Sequence, residues 1–172
     1  GIQKPIIVPK SREKIIHDKI KKNSYNIAVG KDDFRKRLKS KLKKDTLIIK
    51  NSNGQDIWDM ESYKYQNDKP APATVNPSLW RIAQVNNING LFKVTDRVYQ
   101  VRGFDLSNMT IIEGNTGIII IDPLMTKETA TSALELYYKN RPKKPVVAVI
   151  YSHSHADHYG GVKGVINQDD VK

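Results

Sequence analysis

Apolar residues in the second half of the chain recur in short runs that predict strands. "LFKVTDRVYQVRG" contains two alternating runs around Asp96-Arg97, and "MTIIEG" is a third run of the same kind. A continuous apolar run, Ile118–Ile121, predicts a strand that is buried on both faces. "PVVAVIY" predicts a second buried strand close to the end of the chain.

Between these two apolar strands the spacing becomes helical. From Thr126 to Asn140, apolar side chains recur at intervals of three and four residues, and Pro142 enforces the end of the helix. The order strand, strand, helix, strand predicts an α/β arrangement. The polar loop after the last strand then lies at the carboxyl end of a strand, where such sheets commonly carry their sites.

The first half of the chain reads as an extension in front of this domain. Ser11–Lys22 and Asp32–Lys43 have the spacing of helices, and "TLIIKNSNGQDIWDM" predicts a hairpin that turns at Asn53-Gly54. We interpret "WDMESYKY" as packing against the core rather than as a binding segment.

A proline-rich tract, "NDKPAPATVNPSLW", follows and predicts extended chain. Asn76-Pro77 then predicts the start of a short helix that ends near Asn86. We therefore divide the chain into an extension, residues 1–75, and a main domain, residues 76–172.

The charge of the chain lies at one end. Residues 1–50 hold sixteen Lys and Arg against five Asp and Glu, whereas the remainder holds thirteen of each. We interpret the basic end as solvated helical surface rather than a nucleic-acid site, because no aromatic stacking platform accompanies the lysines. Absence of cysteine excludes disulfides and thiolate metal sites. No apolar run approaches the roughly 18–20 residues that span a bilayer, and Gly1–Lys10 lacks the pattern of a signal peptide.

Three of the four histidines of the chain lie in the segment "HSHADH" after the last predicted strand. Residues two apart in an extended segment point the same way, so His153 and His155 can reach one ion together. Asp157 and His158 project differently as the chain turns, so they can serve a second ion nearby. Imidazole nitrogen and carboxylate oxygen are suitable ligands for zinc, iron and manganese. The spacing therefore predicts a metal site.

The residues around this motif resemble a known family. H-x-H-x-D-H after a hydrophobic strand is typical of the metallo-β-lactamase superfamily. The blocks "NPSLWR", "NNINGLFKVTDRVYQVRGFDLSNMTIIEGNTGIIIIDPL" and "RPKKPVVAVIYSHSHADHYGGVKGV" resemble the N-terminal part of its alkyl sulfatase branch, whose members hydrolyse alkyl sulfate esters such as dodecyl sulfate. This resemblance implies an α/β fold, the first half of a metallo-β-lactamase-like αββα sandwich, with a helical and hairpin N-terminal extension.

The resemblance also implies roles for the site residues. Two zinc ions would be bound, one by His153 and His155 and the other by Asp157 and His158. Asp157 is in addition the candidate catalytic residue, as a proton acceptor. Asp122, at the end of the "IIIID" strand, would hold the ligand loop by hydrogen bonds without touching metal.

What the resemblance leaves unmatched leads to further expectations. The family's remaining ligands and sulfate-binding arginine lie downstream of this motif, so the substrate-binding residues stay unknown. We expect this chain alone to be truncated and without turnover, with a sheet face or edge uncovered. "FDLSNMT" would lie near the mouth of the site. An alkyl sulfate substrate, a homodimer and a periplasmic or secreted location are also implied.

Two alternatives remain open. The protein could be another hydrolase of the superfamily, acting on thioesters or phosphodiesters. It could instead be a non-enzymatic binding module whose basic end binds an anionic polymer.

Overall fold

The computed structural model describes residues 47–67, 70–167 and 169, which belong to one unit, Thr46–Lys172. The two helices predicted at Ser11–Lys22 and Asp32–Lys43 lie outside the described residues. The division of the chain at residue 75 stays a prediction.

A hairpin opens the described part of the chain. Strands β1 (Ile48–Lys50) and β2 (Asp56–Asp59) pair antiparallel, and Gly54 occupies the turn between them with φ of 80°, as predicted from Asn53-Gly54. Ile49 is buried in the same core as the main sheet, and the Trp58 indole Nε1 donates to the carbonyl of Gly103 at 2.9 Å. The hairpin therefore packs against the main domain through apolar side chains, in agreement with the packing interpretation of "WDMESYKY".

A 3₁₀ helix, Glu61–Gln66, and helix α1, Pro77–Asn86, follow the hairpin. The Asn76 side chain accepts from the amide of Ser78 at 2.8 Å, so the predicted cap is confirmed. Three apolar side chains of α1 remain largely exposed, namely Leu79, Ile82 and Val85.

The main element is a five-stranded sheet with strands in sequence order. The strands are β3 (Gly90–Thr95), β4 (Val98–Arg102), β5 (Met109–Glu113), β6 (Ile118–Ile121) and β7 (Val146–Ile150). Neighbours pair antiparallel from β3 to β6, whereas β6 and β7 are parallel. A parallel pair needs a crossover, and helix α2 (Lys127–Asn140) supplies it.

Helix α2 begins where the sequence predicts. Thr126 is its N-cap: the hydroxyl accepts from the amide of Thr129 at 3.2 Å, and the Thr129 hydroxyl takes part in the reciprocal bond. The helix buries one face against the sheet. The buried apolar side chains of this face are Ala130, Ala133, Leu134 and Tyr137. They belong to the same core as Ile118 and Ile120 of β6.

The opposite face of the sheet corrects one prediction. Ile119 and Ile121 of β6 are only half-buried, and Val147 and Ile150 of the edge strand β7 are 61% and 49% exposed. The prediction that both apolar strands are fully buried is therefore wrong for this structure. An apolar run reports that a strand can be covered on both sides, but burial also requires the covering element. The exposed edge agrees with the expected half sandwich.

Candidate metal centre

The histidine loop begins directly after β7, at the carboxyl end of the parallel pair. His153 and His155 are exposed and lie side by side, with 3.0 Å between His153 Nε2 and His155 Nδ1. His155 has extended backbone with φ of −72° and ψ of 139°. The alternation predicted for this segment therefore places the two imidazoles together.

The second predicted pair is also formed. The chain turns into a short 3₁₀ helix, Ala156–His158, and this turn brings His158 Nε2 to 3.2 Å from Asp157 Oδ2. The two pairs are adjacent, because the rings of His153 and His158 have centroids 4.0 Å apart. The structure thus brings all four predicted ligands into one cluster.

The spacing within each pair fits a tetrahedral ion. Two ligand atoms that each lie ~2.0–2.1 Å from a tetrahedral zinc are about 3.3 Å from each other, close to the 3.0 and 3.2 Å observed. Over residues 47–67, 70–167 and 169, however, no group of three or more such side chains is arranged to hold a single ion. Each pair is therefore short of the three protein ligands usual at a catalytic zinc, and metal ligation stays a prediction.

Asp122 organises this cluster from the neighbouring strand end. It lies directly after β6 and reaches His158, whose Nδ1 is 2.8 Å from Asp122 Oδ2. Burial by itself raises the pKa of Asp122, but hydrogen bonds from Ser152 and His158 outweigh that effect and hold the pKa below its ordinary value. Asp122 is therefore an ionised acceptor that hydrogen-bonds to the loop of predicted ligands; that it does not itself touch metal stays a prediction.

The turn after β6 has unusual backbone geometry. Asp122 and Leu124 have φ of 57° and 65°, a left-handed region that Asp tolerates but that strains a buried Leu. A strained backbone conformation of this kind is kept only where contacts with the surrounding structure hold it in place. Here the carbonyl of Leu124 accepts from the amide of Gly161 at 2.9 Å, tying this turn to the histidine loop.

Two glycines allow that contact. A Cβ at Gly160 would lie 2.3 Å from the carbonyl oxygen of Met125, and one at Gly161 would lie 2.3 Å from that of Pro123. No side chain fits in either place. Gly160-Gly161 thus allows the backbone of the turn after β6 to pack closely behind the loop.

Sequence reasoning missed three polar residues that hold the loop. Ser152 bonds to Asp122 and to His153. Ser107 donates its hydroxyl to the carbonyl of Asp157, and the buried carboxylate of Asp105 accepts from the amide of Met125 at 3.1 Å. The segment "FDLSNMT", expected near the mouth of the site, contains Asp105 and Ser107 and was the one signal for them. Their contacts could not be predicted, because nothing in a sequence pairs residues that are 50 apart.

Several exposed apolar side chains lie in the histidine loop or in the segments that are bonded to it. Leu106, Tyr159 and Met125 are 70%, 42% and 44% exposed, and each adjoins a residue that anchors the loop. Tyr151 and Tyr159 are in contact, with ring centroids 5.9 Å apart.

In the described part of the chain, no helix is long and apolar enough to cross a membrane.

Comparison with known proteins agrees with this geometry. Residues 102–172 match the metallo-beta-lactamase superfamily, whose membership implies metal binding. The chain is 61% identical over 124 residues to an (R)-specific secondary-alkylsulfatase from a Pseudomonas species, covering 72% of this chain and 19% of that protein. It is 62% identical over 120 residues to an alkyl/aryl-sulfatase of Saccharomyces cerevisiae, covering 70% and 19%.

A solved structure gives the same result. The stereoselective inverting sec-alkylsulfatase from a Pseudomonas species superimposes with a TM-score of 0.70 at 60% identity, over 74% of this chain and 20% of that one. The chain thus spans about a fifth of the length of the relatives that it matches. These findings confirm the resemblance: the chain corresponds to the N-terminal part of alkylsulfatases of the metallo-β-lactamase superfamily.

Proposed function

We propose that this chain contributes half of a two-zinc site to an enzyme that hydrolyses alkyl sulfate esters, such as dodecyl sulfate, to an alcohol and inorganic sulfate. His153 and His155 would hold one zinc ion, and Asp157 and His158 the other. The observation that carries this proposal is the pairing of donor atoms at 3.0 and 3.2 Å in one loop.

The chain's own residues prepare this loop for metal. Asp122 engages Nδ1 of His158, so Nε2 remains the nitrogen available for coordination. The Ser107 hydroxyl binds the carbonyl of Asp157, which limits the positions that its carboxylate can take. Two close divalent ions in such a site supply a water whose pKa is lowered towards neutrality. Asp157, exposed in part on this loop, would serve as the proton acceptor.

The apolar side chains at the surface support an alkyl substrate. An alkyl chain gains free energy by leaving water for apolar surface, about 0.8 kcal/mol for each buried CH₂ group. Leu106 and Tyr159 present such exposed surface, and each lies within two residues of one partner of the hydrogen bond between Ser107 and Asp157. The sulfate ester would then lie above the histidines while the chain runs along these side chains.

The test is sulfate release by the product of the complete reading frame that encodes this chain. We expect hydrolysis of dodecyl sulfate, two equivalents of zinc by elemental analysis, and loss of both zinc and activity in His155→Ala. Release of sulfate that survives both a chelator and His155→Ala would refute the proposal.

The same preparation separates the alternatives. Turnover of a thioester or phosphodiester without turnover of dodecyl sulfate would favour another hydrolase of the superfamily. Salt-dependent binding of DNA that is lost only when residues 1–50 are deleted would favour a basic binding module. The proposed homodimer is checked by light scattering on this preparation.

A further inference from the structure

Ser152 makes an unusual number of contacts for a residue outside the predicted ligand set. It lies two residues after β7 and faces the residue that follows β6. Its amide donates to Asp122 Oδ1 at 2.7 Å and its hydroxyl to Asp122 Oδ2 at 2.7 Å. The same hydroxyl oxygen lies 2.9 Å from His153 Nδ1 and 3.5 Å from His158 Nδ1.

The direction of these hydrogen bonds follows from the number of protons. A serine hydroxyl has one proton to donate, and an ionised carboxylate can only accept. The Ser152 hydroxyl therefore donates its hydrogen bond to Asp122, and its oxygen accepts a hydrogen bond from His153 Nδ1. Neutral His153 is then the tautomer with its proton on Nδ1, and its Nε2 carries the free electron pair that faces His155.

The same carboxylate acts on the second imidazole without an intermediary. Asp122 Oδ2 lies 2.8 Å from His158 Nδ1. In a neutral His158 that donates from Nδ1 to this carboxylate, the free electron pair is likewise on Nε2. One carboxylate thus orients two imidazoles, His158 directly and His153 through the serine hydroxyl.

We propose that Ser152 is a positioning residue. Its hydroxyl links the Asp122 carboxylate to His153 Nδ1 by hydrogen bonds, so that His153 and His158 both present Nε2 to their ions. This inference rests on the proposed metal binding, in which His153 and His158 belong to different ions. Its consequence is that the two halves of the site share one anchor. Removal of the hydroxyl breaks the link to His153 and leaves the link between Asp122 and His158 in place.

The first test reads the tautomer directly, without metal. The ¹⁵N shifts of the imidazoles are recorded in the metal-free chain at a pH well above the ordinary imidazole pKa of about 6.5. We expect His153 to carry its proton on Nδ1 in the wild type and in Ser152→Thr, which keeps the hydroxyl. In Ser152→Ala we expect a shift towards the Nε2–H form that free imidazole favours. Ser154→Ala removes an exposed hydroxyl from the same loop and should leave the spectrum unchanged.

These outcomes decide the relay even if one variant does not fold. A wild-type His153 with its proton on Nε2 overturns the proposal without any variant. An unchanged tautomer in folded Ser152→Ala overturns it as well.

The second test measures zinc affinity in the product of the complete reading frame, by competition with a chelator. Loss of a hydrogen-bond partner behind a ligand typically weakens metal binding about 10–100-fold. We expect a loss of that size in Ser152→Ala, rescue in Ser152→Thr and no change in Ser154→Ala. Sulfate release with zinc affinity unchanged in Ser152→Ala would overturn this inference while the proposed function stands. Zinc loss in that variant without sulfate release by the wild type would support the inference and refute the proposed substrate.

Discussion

The two ends of the five-stranded sheet each carry a carboxylate held by three donors. At one end, Glu113 is the last residue of β5. It accepts from Arg141 Nε and Nη2 at 2.7 and 2.9 Å and from the Tyr137 hydroxyl at 2.7 Å. At the other end, Asp122 follows β6 and accepts from the amide and hydroxyl of Ser152 and from His158.

The two networks differ in whether the donor groups keep an electron pair that could bind a metal after they have donated their hydrogen bonds. The guanidinium of Arg141 and the phenol of Tyr137 have no electron pair suited to a metal in these protonation states, so the Glu113 network is complete in itself. A neutral imidazole at the other end, by contrast, still has a free electron pair on one nitrogen after it donates from the other. Similar carboxylate chemistry therefore stabilises the fold at one end and prepares ligands at the other.

Electrostatics separates the two ends further. Hydrogen bonds from Arg141 lower the pKa of Glu113 to about 2, and burial together with Glu113 raises the pKa of Tyr137. These charges neutralise one another within the network. At Asp122, by contrast, the hydrogen-bond partners found among the described residues include no Lys or Arg, so the charge of this carboxylate remains available to a bound cation.

The largest effect is expected from closing the space behind the histidine loop. In Gly161→Ala the new Cβ would lie 2.3 and 2.6 Å from the carbonyl oxygens of Pro123 and Thr126, and backbone cannot move aside cheaply. We expect a loss of about 3 kcal/mol in the free energy of unfolding, measured with urea, and loss of zinc binding.

Gly117→Ala is the counterpart at the Glu113 end. Its Cβ would lie 2.3 Å from Val147 Cγ1, on an exposed side chain that can move, and 2.9 Å from the carbonyl oxygen of Pro145, a milder backbone contact than those at Gly161. We expect a loss of about 1–2 kcal/mol with zinc binding retained. Equal losses in the two variants would show that the metal end is no more tightly packed than the other.

Exchanging the charge at each end separates ligand preparation from stability. Asp122→Asn keeps a residue that tolerates φ near 57° but removes the negative acceptor. We expect zinc affinity to fall about 10–100-fold, with only a small change in unfolding. Glu113→Gln should do the reverse, lowering stability at neutral pH while zinc affinity stays the same. Zinc affinity is measured by titration and stability by thermal melts in both variants. Equal changes in zinc affinity and in stability would contradict the proposed difference between the two ends.

The stabilising role of Glu113 depends on pH in a direction set by its pKa. Its folded value of about 2 lies below the ordinary 4.5, so the ionised form favours the folded state above pH 4.5. That contribution falls away as the pH drops from about 4.5 to 2. The gap in melting temperature between wild type and Glu113→Gln should therefore close over this range. A gap that is constant from pH 7 to 2.5 would show that the ion pair contributes nothing.

The smallest effect is expected at the Ser107 anchor. Ser107→Ala removes one hydrogen bond to the carbonyl of Asp157 and leaves a partly exposed acceptor that water can reach. We expect about 1 kcal/mol of destabilisation and a decrease of a few-fold in zinc affinity. Ser132→Ala, which alters a half-buried hydroxyl on α2, serves as the control. A larger effect on metal than Asp122→Asn would reverse the proposed order of importance.

Local patterns predicted most of the elements correctly. The start of α2 near Thr126, Asn76 before α1 and Asn53-Gly54 between β1 and β2 all depend on neighbours within a few residues. The alternation that places His153 beside His155 is local as well. These features could be predicted because the hydrogen bonds and φ values that they need are decided by adjacent residues.

Burial and the support of the site could not be predicted in this way. The sequence of β7 is as apolar as that of β6, yet Val147 and Ile150 are exposed, because burial requires an element that covers the sheet face and the apolar run does not show whether one is present. Asp105 and Thr129, which bond to each other, are separated by more than twenty residues, and no spacing rule connects them.

By itself the sequence determined the set of candidate ligands, the strand that precedes them and the family they resemble. The tertiary structure decided which nitrogen of His153 and of His158 faces Ser152 and Asp122. That property depends on Asp122 and Ser152, which lie 30 residues apart and meet because β6 and β7 pair in parallel and end together, with Ile121 beside Ile150. A hydrogen bond of this kind follows from strand register, and register is a property of the folded sheet.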